Sequence, residues 1–360
     1  MVPASGGEAS DVNPDTPEAI TPEWLDAALA TSLPGVEVAS VEVLDRHSGT
    51  TGRARLGLTY AANSAGPETL FVKLPPFDAS QRQLVAVTDM GRREARFYAA
   101  LAAETPVRVP RCYFAAHGGD PTDYIMLLED LEAAGCTFPK DVEAHAREYG
   151  GRLLRALARL HAHFWQDERF GSELSWIPRA MRGALGATLI DRAREKFGRE
   201  LPPVFTDLCR LYTEHHERVC DLWDEGESTL IHGDTHSGNQ LLDGKQVGLY
   251  DWAVISRSPG IRDVAIFLCN SCPIEVRRAE EEGWLRAYRQ GLLDAGVAAP
   301  DFDTLWQRYR LAVLYGWVAA TTTAVMGDMW QPSEVGMSAM RRSTQTCADL
   351  ETFEAFRDAL

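Results

Sequence analysis

The sequence predicts an α+β protein in two lobes, a small antiparallel-sheet lobe followed by a larger, mainly helical one. Three observations carry this. Five short segments of strand character fall between residues 38 and 129. A single helical pattern interrupts them, between the third and the fourth. After residue 131 the apolar period lengthens from two to that of an α-helix. The corresponding division is an N-terminal segment 1–20 without order, a first lobe over 21–131 and a second over 132–360.

Residues 1–20 are rich in Pro, Gly, Ser and acids, a composition that buries little and is expected to stay disordered. Order is expected to start at "TPEWLDAAL", with Thr21 as N-cap, Pro22 at the first helical position and Trp24, Leu25 and Leu29 on one face. The strand candidates follow. "VASVEVLDR" alternates Val41 and Val43 with Glu42, and "RARLGLTY" alternates Leu56, Leu58 and Tyr60. "TLFVKL" is a short apolar run with one lysine. The last two are "RCYFAAH" and "DYIMLLE". Between the third and fourth, "TDMGRREARFYAALAAE" reads as one amphipathic helix with Phe97 and Leu101 inward.

In the second lobe, "AREYGGRLLRALARLHAHFW" sets Tyr149, Leu153, Leu157, Leu160 and Phe164 on one helical face. Segments 280–293 and 304–326 are helical in pattern and rich in aromatic residues, which at helical spacing belong mostly to a core. Region 229–255 breaks the pattern with two short apolar runs and glycine-bearing turns.

Composition excludes several classes. Hydrophobic residues at 45% and charged residues at 24% are those of an ordinary globular protein. The net charge of −16, from 52 acidic and 36 basic residues, repels a phosphate backbone and disfavours nucleic-acid binding. Seven cysteines without regular spacing imply reduced thiols, and the lone "CNSC" at Cys269–Cys272 has no second pair to complete a zinc site. The uncharged run Leu311–Met326 is short for a membrane span and contains three threonines, so it reads as a buried helix. With no basic start and no apolar core at the N-terminus, the chain is expected to be cytoplasmic, without a membrane partner.

The chemistry concentrates in "LIHGDTHSGNQLLDGKQVGLYDW". His232, Asp234 and His236 stand at alternate positions, which on a strand would put three metal ligands on one face, as in a metal-dependent hydrolase. The same stretch spaces Asp234, Asn239 and Asp251 five and twelve apart. A hairpin turning at Asp243–Gly244 would return Asp251 to Asn239. An amide oxygen beside a carboxylate suits Mg²⁺, and Asp234 is then left to orient a hydroxyl and accept its proton.

The string "HGDTHSGN", followed by a short hairpin and "DW", resembles the catalytic segment of the aminoglycoside phosphotransferase and choline-kinase group of small-molecule kinases, which share the protein-kinase-like bilobal fold. The absence of "DFG" separates it from protein kinases. The resemblance implies ATP or GTP and Mg²⁺ as cofactors and a small hydroxylated substrate as partner, with Asp234 catalytic and Asn239 and Asp251 as metal ligands. It further implies that Lys73, in the third strand, contacts the phosphates and pairs with Glu94 of the following helix. Ser48, Gly49, Thr50, Thr51 and Gly52 would cover the phosphates, and backbone groups from Glu129 to Leu131 would bind adenine. Asp263 would brace the catalytic loop, with His232 and His236 supporting it.

This resemblance spans roughly residues 41–270. The segment "EVRRAEEEGWLRAYRQGL" is more loosely similar to the ecdysteroid-kinase-like branch, which often has Trp where His236 stands. Three functions follow from the sequence: a small-molecule kinase, a metal-dependent hydrolase built on His232, Asp234 and His236, and a kinase-like binding protein without turnover. The hydrolase leaves Lys73, Glu94, Asn239 and Asp251 without a role, and against the silent binding protein stands that every expected catalytic position is filled.

Overall fold

The computed structural model of the chain describes residues 13–139, 142–180, 182, 184–327 and 333–360. They fall into two compact units. The first runs to Glu104 and resumes over Val109–Thr137; the second comprises Thr105–Arg108 and Phe138–Leu360.

The first unit opens with α1 (Pro22–Leu29), where the Thr21 hydroxyl caps the Trp24 amide and Pro22 occupies the first turn. The described part of the segment expected to be disordered carries structure. Residues 13–20, expected to be disordered, include a 3₁₀ turn at Pro17–Ala19 and a buried Ile20. Asn13 donates to the Asp123 carboxylate, and Asp15 and Glu18 pair with Arg82 and Arg46. Residues 1–12, also in that expected segment, lie outside the described residues.

The five expected strands form: β1 (Val38–Ser48), β2 (Gly52–Tyr60), β3 (Thr69–Leu74), β4 (Cys112–His117) and β5 (Tyr124–Glu129). They make one antiparallel sheet in the order β1-β2-β3-β5-β4. Period-two patterning fixes the register. Leu56 and Leu58 of β2 point inward and join Leu70, Val72, Leu74, Ile125 and Leu127 in a core closed by Leu25 and Leu29. Two helices, not one, separate β3 from β4: α2 (Ala79–Ala86) and α3 (Met90–Ala100). The polar segment around α2 has little apolar periodicity to betray it, whereas Phe97 and Leu101 are buried as the pattern required.

The second unit begins with α4 (Val142–His163), whose Tyr149, Leu153, Leu157 and Leu160 are fully buried. Then come α5 (Ala184–Phe197), α6 (Pro203–Asp224), the strand β6 (Ser228–Ile231), the hairpin β7 (Gln240–Asp243) and β8 (Gln246–Leu249), and β9 (Ser256–Pro259), which pairs with β6. The hairpin turns at Gly244–Lys245, one residue beyond the expected Asp243–Gly244, because Asp243 pairs with Gln246. Gly244 takes a φ of +55° there. Arg108 joins this unit by a bridge to Gly248 and by accepting the Leu249 amide.

The remainder is helical: α7 (Ile261–Ile266), a π-turn at Phe267–Ser271, α8 (Ile274–Asp294), α9 (Phe302–Met326), α10 (Ser333–Asp349) and α11 (Thr352–Arg357). Run Leu311–Met326 lies in α9, and no helix among the described residues is long and apolar enough to cross a membrane. Trp284, Tyr288, Tyr309 and Trp317 are core residues, while Trp306 and Tyr315 are half-buried. Cys269 and Cys272 are buried thiols that burial pushes up to about 12, which keeps them protonated and inert.

Candidate active site

In the first unit, β3 presents Lys73 and α3 presents Glu94. Their Nζ and Oε2 lie 2.5 Å apart, with side chains only 6% and 0% exposed. Burying either charge alone would cost several kcal/mol, about 3–5 when a partner is removed. A hydrophobic pair would fill the same space without that risk, so the ion pair reads as a held cation rather than as packing. Sequence reasoning paired these residues, and the structure brings them together.

The β1–β2 turn runs from Ser48 to Gly52, which pair across the strands, and the Gly49 amide donates to the Thr51 carbonyl. Ser48 accepts the Phe77 amide at its hydroxyl oxygen and donates to Gln81. Thr51 is buried. The two glycines differ in their surroundings. A Cβ on Gly49 would meet nothing closer than 3.6 Å, whereas one on Gly52 would fall 2.5 Å from the Phe77 ring and from the Pro75 carbonyl. Gly52 is therefore required by packing beneath the turn. At the end of β5, the Glu129 amide donates to the Arg111 carbonyl and its carboxylate accepts the Arg111 amide. The Leu131 carbonyl accepts from Cys136.

In the second unit β6 ends at Ile231, so His232, Asp234 and His236 lie in a loop and not on a strand face. Gly233 makes the first bend with φ +84°; a Cβ there would meet the Val254 carbonyl at 2.5 Å. His232 stacks against Trp252, with centroids 4.6 Å apart. Its Nε2 is 3.0 Å from the Tyr250 carbonyl, and its Nδ1 accepts the Asp234 amide at 3.3 Å. Because the carbonyl can only accept, the proton sits on Nε2. Burial holds His232 below the usual imidazole range, although Asp263 and Asp234 pull the other way.

Both nitrogens of His232 are thus engaged, which removes it from the ligand set of the hydrolase reading. Among the described residues no group of three His, Cys, Asp or Glu side chains is placed to hold a metal ion.

Asp234 is 40% exposed, and its Oδ2 lies 3.4 Å from His236 Nε2. The Asn239 side-chain amide donates to the Asp234 carbonyl at 2.9 Å and to its Oδ2 at 3.1 Å. Burial pushes the Asp234 carboxyl up, but His236 and His232 outweigh it, and the group sits below the ordinary aspartate range; Asp251 opposes them. His236 shows the converse. Burial pulls it down, but its pairing with Asp234 raises it overall. Its Nδ1 accepts the Gly238 amide at 2.9 Å and caps the turn Ser237–Asn239.

The hairpin returns the chain as expected. The Tyr250 amide donates to the Asn239 carbonyl at 3.0 Å, and Asp251 follows in the left-handed region at φ +63°. An aspartate tolerates that backbone better than most residues, yet it is uncommon and marks a position held by its surroundings.

Asp263, fully buried at the start of α7, gathers the loop. Its Oδ1 accepts the Gly233 amide at 2.8 Å, and its Oδ2 accepts the His232 amide at 2.8 Å and faces His161 Nε2 at 3.2 Å. The Thr235 hydroxyl donates to its carbonyl, and Gln240 donates to the Thr235 carbonyl.

Such a loop pairs an ionised, accessible carboxylate with an adjacent amide and holds both from a rigid helix. The sequence profile of the phosphotransferase enzyme family matches residues 51–310, well over half of the chain. The chain belongs to the phosphotransferase enzyme family. Solved structures agree on the protein-kinase-like bilobal fold. The GDP complex of wild-type aminoglycoside 2'-phosphotransferase-IIIa is 15% identical, with coverage of 90% of this chain and 99% of that one and a TM-score of 0.50. Choline kinase from Cryptosporidium parvum Iowa II is 10% identical, covering 91% and 96%, with a TM-score of 0.53. The gentamicin–APH(2")-IIa complex is 14% identical, covering 91% and 96%, with a TM-score of 0.52. No curated protein matches the chain in sequence.

Within this phosphotransferase, sequence reasoning missed the residues behind Asp263. His161 and Tyr288 are both buried and bond to one another at 2.8 Å. The signal available was a histidine beside the apolar face of "LLRALARLHAHF", a position that polarity alone does not explain.

Proposed function

We propose that this phosphotransferase moves the γ-phosphoryl group of a nucleoside triphosphate, ATP in the first instance, to a hydroxyl of a small organic molecule. The observation that carries the reading is the Asp234 carboxylate, held ionised by His236 and fixed by the Asn239 amide. The donor set fits Mg²⁺. Because the Asn239 amide nitrogen is spent on Asp234, its Oδ1 is left for a cation, and Asp251 adds a carboxylate to an all-oxygen set. When bound, the metal would neutralise charge on the nucleotide phosphates.

The remaining work falls to the chain. Lys73, kept charged and oriented by Glu94, holds the phosphates, under the turn from Ser48 to Gly52. The backbone from Glu129 to Leu131 receives the adenine. Asp234 accepts a hydrogen bond from the acceptor hydroxyl, aligns its oxygen and takes its proton late, since a loose transition state asks more of alignment than of basicity. Asp263, His232 and His236 keep the loop in place for this.

The test is ADP release from Mg·ATP and, separately, GDP release from Mg·GTP, over a panel of alcohols, amino sugars and antibiotics. Acceptor-dependent turnover is expected, with Asp234→Ala lowering it by about 10³-fold or more while nucleotide binding persists. Undiminished turnover in that variant would remove Asp234 from the reaction.

A further inference from the structure

We propose that Tyr288 and His161 are positioning residues: the hydrogen-bonded chain Tyr288–His161–Asp263 fixes the Asp263 carboxylate and, through it, the backbone of the loop that carries Asp234. Asp263 is the only side chain described as binding both the His232 and Gly233 amides, one on each oxygen. A carboxylate in that duty must not rotate. Its Oδ2, which accepts the His232 amide, has a further neighbour, His161 Nε2, at 3.2 Å, and in the arrangement proposed Nε2 is the donor of that pair. The Tyr288 hydroxyl, 2.8 Å from Nδ1, supplies its donor and thereby selects the tautomer that can reach Asp263.

The surroundings are built to this pair. Three helices meet there, with His161 from α4, Asp263 from α7 and Tyr288 from α8. Tyr288 is 1% exposed and His161 and Asp263 are 0% exposed, so water does not compete. Gly260 passes so close that a Cβ would lie 2.4 Å from His161 Nδ1 and 2.7 Å from the Tyr288 hydroxyl. The Thr229 hydroxyl donates to the His161 carbonyl at 2.7 Å and ties the end of α4 to β6, the strand that feeds the loop.

Placing Asp234 at the end of this chain rests on the proposed function, but the loop's order does not, and the two are measured separately. Hydrogen–deuterium exchange of the full chain, followed in peptides covering 230–236, reads the order. Tyr288→Phe deletes one hydroxyl, and His161→Gln keeps a side-chain donor should the first variant fold poorly. In Tyr288→Phe, exchange at His232 and Gly233 is expected to rise about tenfold, the scale of one lost buried hydrogen bond, with exchange in the first unit's sheet unchanged. Mg·ATP hydrolysis without an acceptor reads the consequence. Its kcat should fall about as far with KM for ATP held, and adding Tyr288→Phe to His161→Gln should cost nothing more, since the tyrosine acts through the histidine. Unchanged exchange over 230–236 overturns the proposal, as does a rise spread evenly over the whole unit. Multiplicative losses in the double variant also overturn it. If the wild-type chain turns over neither Mg·ATP nor Mg·GTP with any acceptor of the panel, the proposed function fails while the exchange result still decides this one.

Discussion

The Asn239 side-chain amide holds Asp234 twice, at the backbone carbonyl and at the carboxylate. One side chain thus fixes both where Asp234 stands and which way its carboxylate faces. Replacing the amide by a carboxylate puts like charge at hydrogen-bond distance from Asp234. Asn239→Asp should therefore raise the Asp234 pKa and move the acid limb of the kcat/KM profile up by about one pH unit or more. Asn239→Ala should lower kcat without that move. Matching pH profiles in the wild type and Asn239→Asp would show that the two groups do not communicate.

Gly49 and Gly52 bound the same turn and should respond differently to alanine. At Gly49 the nearest neighbours of a Cβ stand at ordinary contact distance, so Gly49→Ala should leave thermal stability nearly unchanged. At Gly52 the new methyl meets the Phe77 ring and the Pro75 carbonyl, and the backbone carbonyl cannot swing away. Gly52→Ala should cost about 1–3 kcal/mol of stability, the usual penalty for overpacking. It should also weaken Mg·ATP binding if this turn covers the phosphates. Equal melting temperatures for the two variants would contradict the close approach of Gly52 to Phe77 and Pro75.

These contrasts show what the sequence carries and what it does not. Period-two strands such as β2 are legible because burial on one face dictates the residue types directly. Lys73, Glu94, Asp234 and Asn239 are legible because their spacing repeats a family pattern. Gly52 was noticed for that pattern, but its packing role depends on Phe77, 25 positions away in the chain, and no local rule links them. The same holds for His161, Asp263 and Tyr288, which come from three helices; their partnership is a product of tertiary packing. Helix α2 escaped because its polar segment lacks a periodic apolar face.

His232 gives a pH dependence whose sign can be worked out. Burial depresses its folded-state pKa below the ordinary value of about 6.5, which the unfolded chain keeps. Between those two values the unfolded chain binds a proton that the folded one refuses. Stability contributed by neutral His232 is therefore present above about pH 6.5 and is lost as pH falls toward the folded value. His236 acts oppositely: its folded pKa is raised by Asp234, so its contribution is present in acid and is lost as pH rises through that higher value. The two are separated by comparing urea midpoints at about pH 7.5 and about pH 5.5 in the wild type and in His232→Gln. The variant should be less stable at the higher pH, having lost the contacts to Tyr250 and Asp234, and it should lose less on acidification than the wild type. If both proteins lose the same amount, His232 does not resist protonation in the fold, and its place as a neutral pin between Tyr250 and Asp234 is wrong.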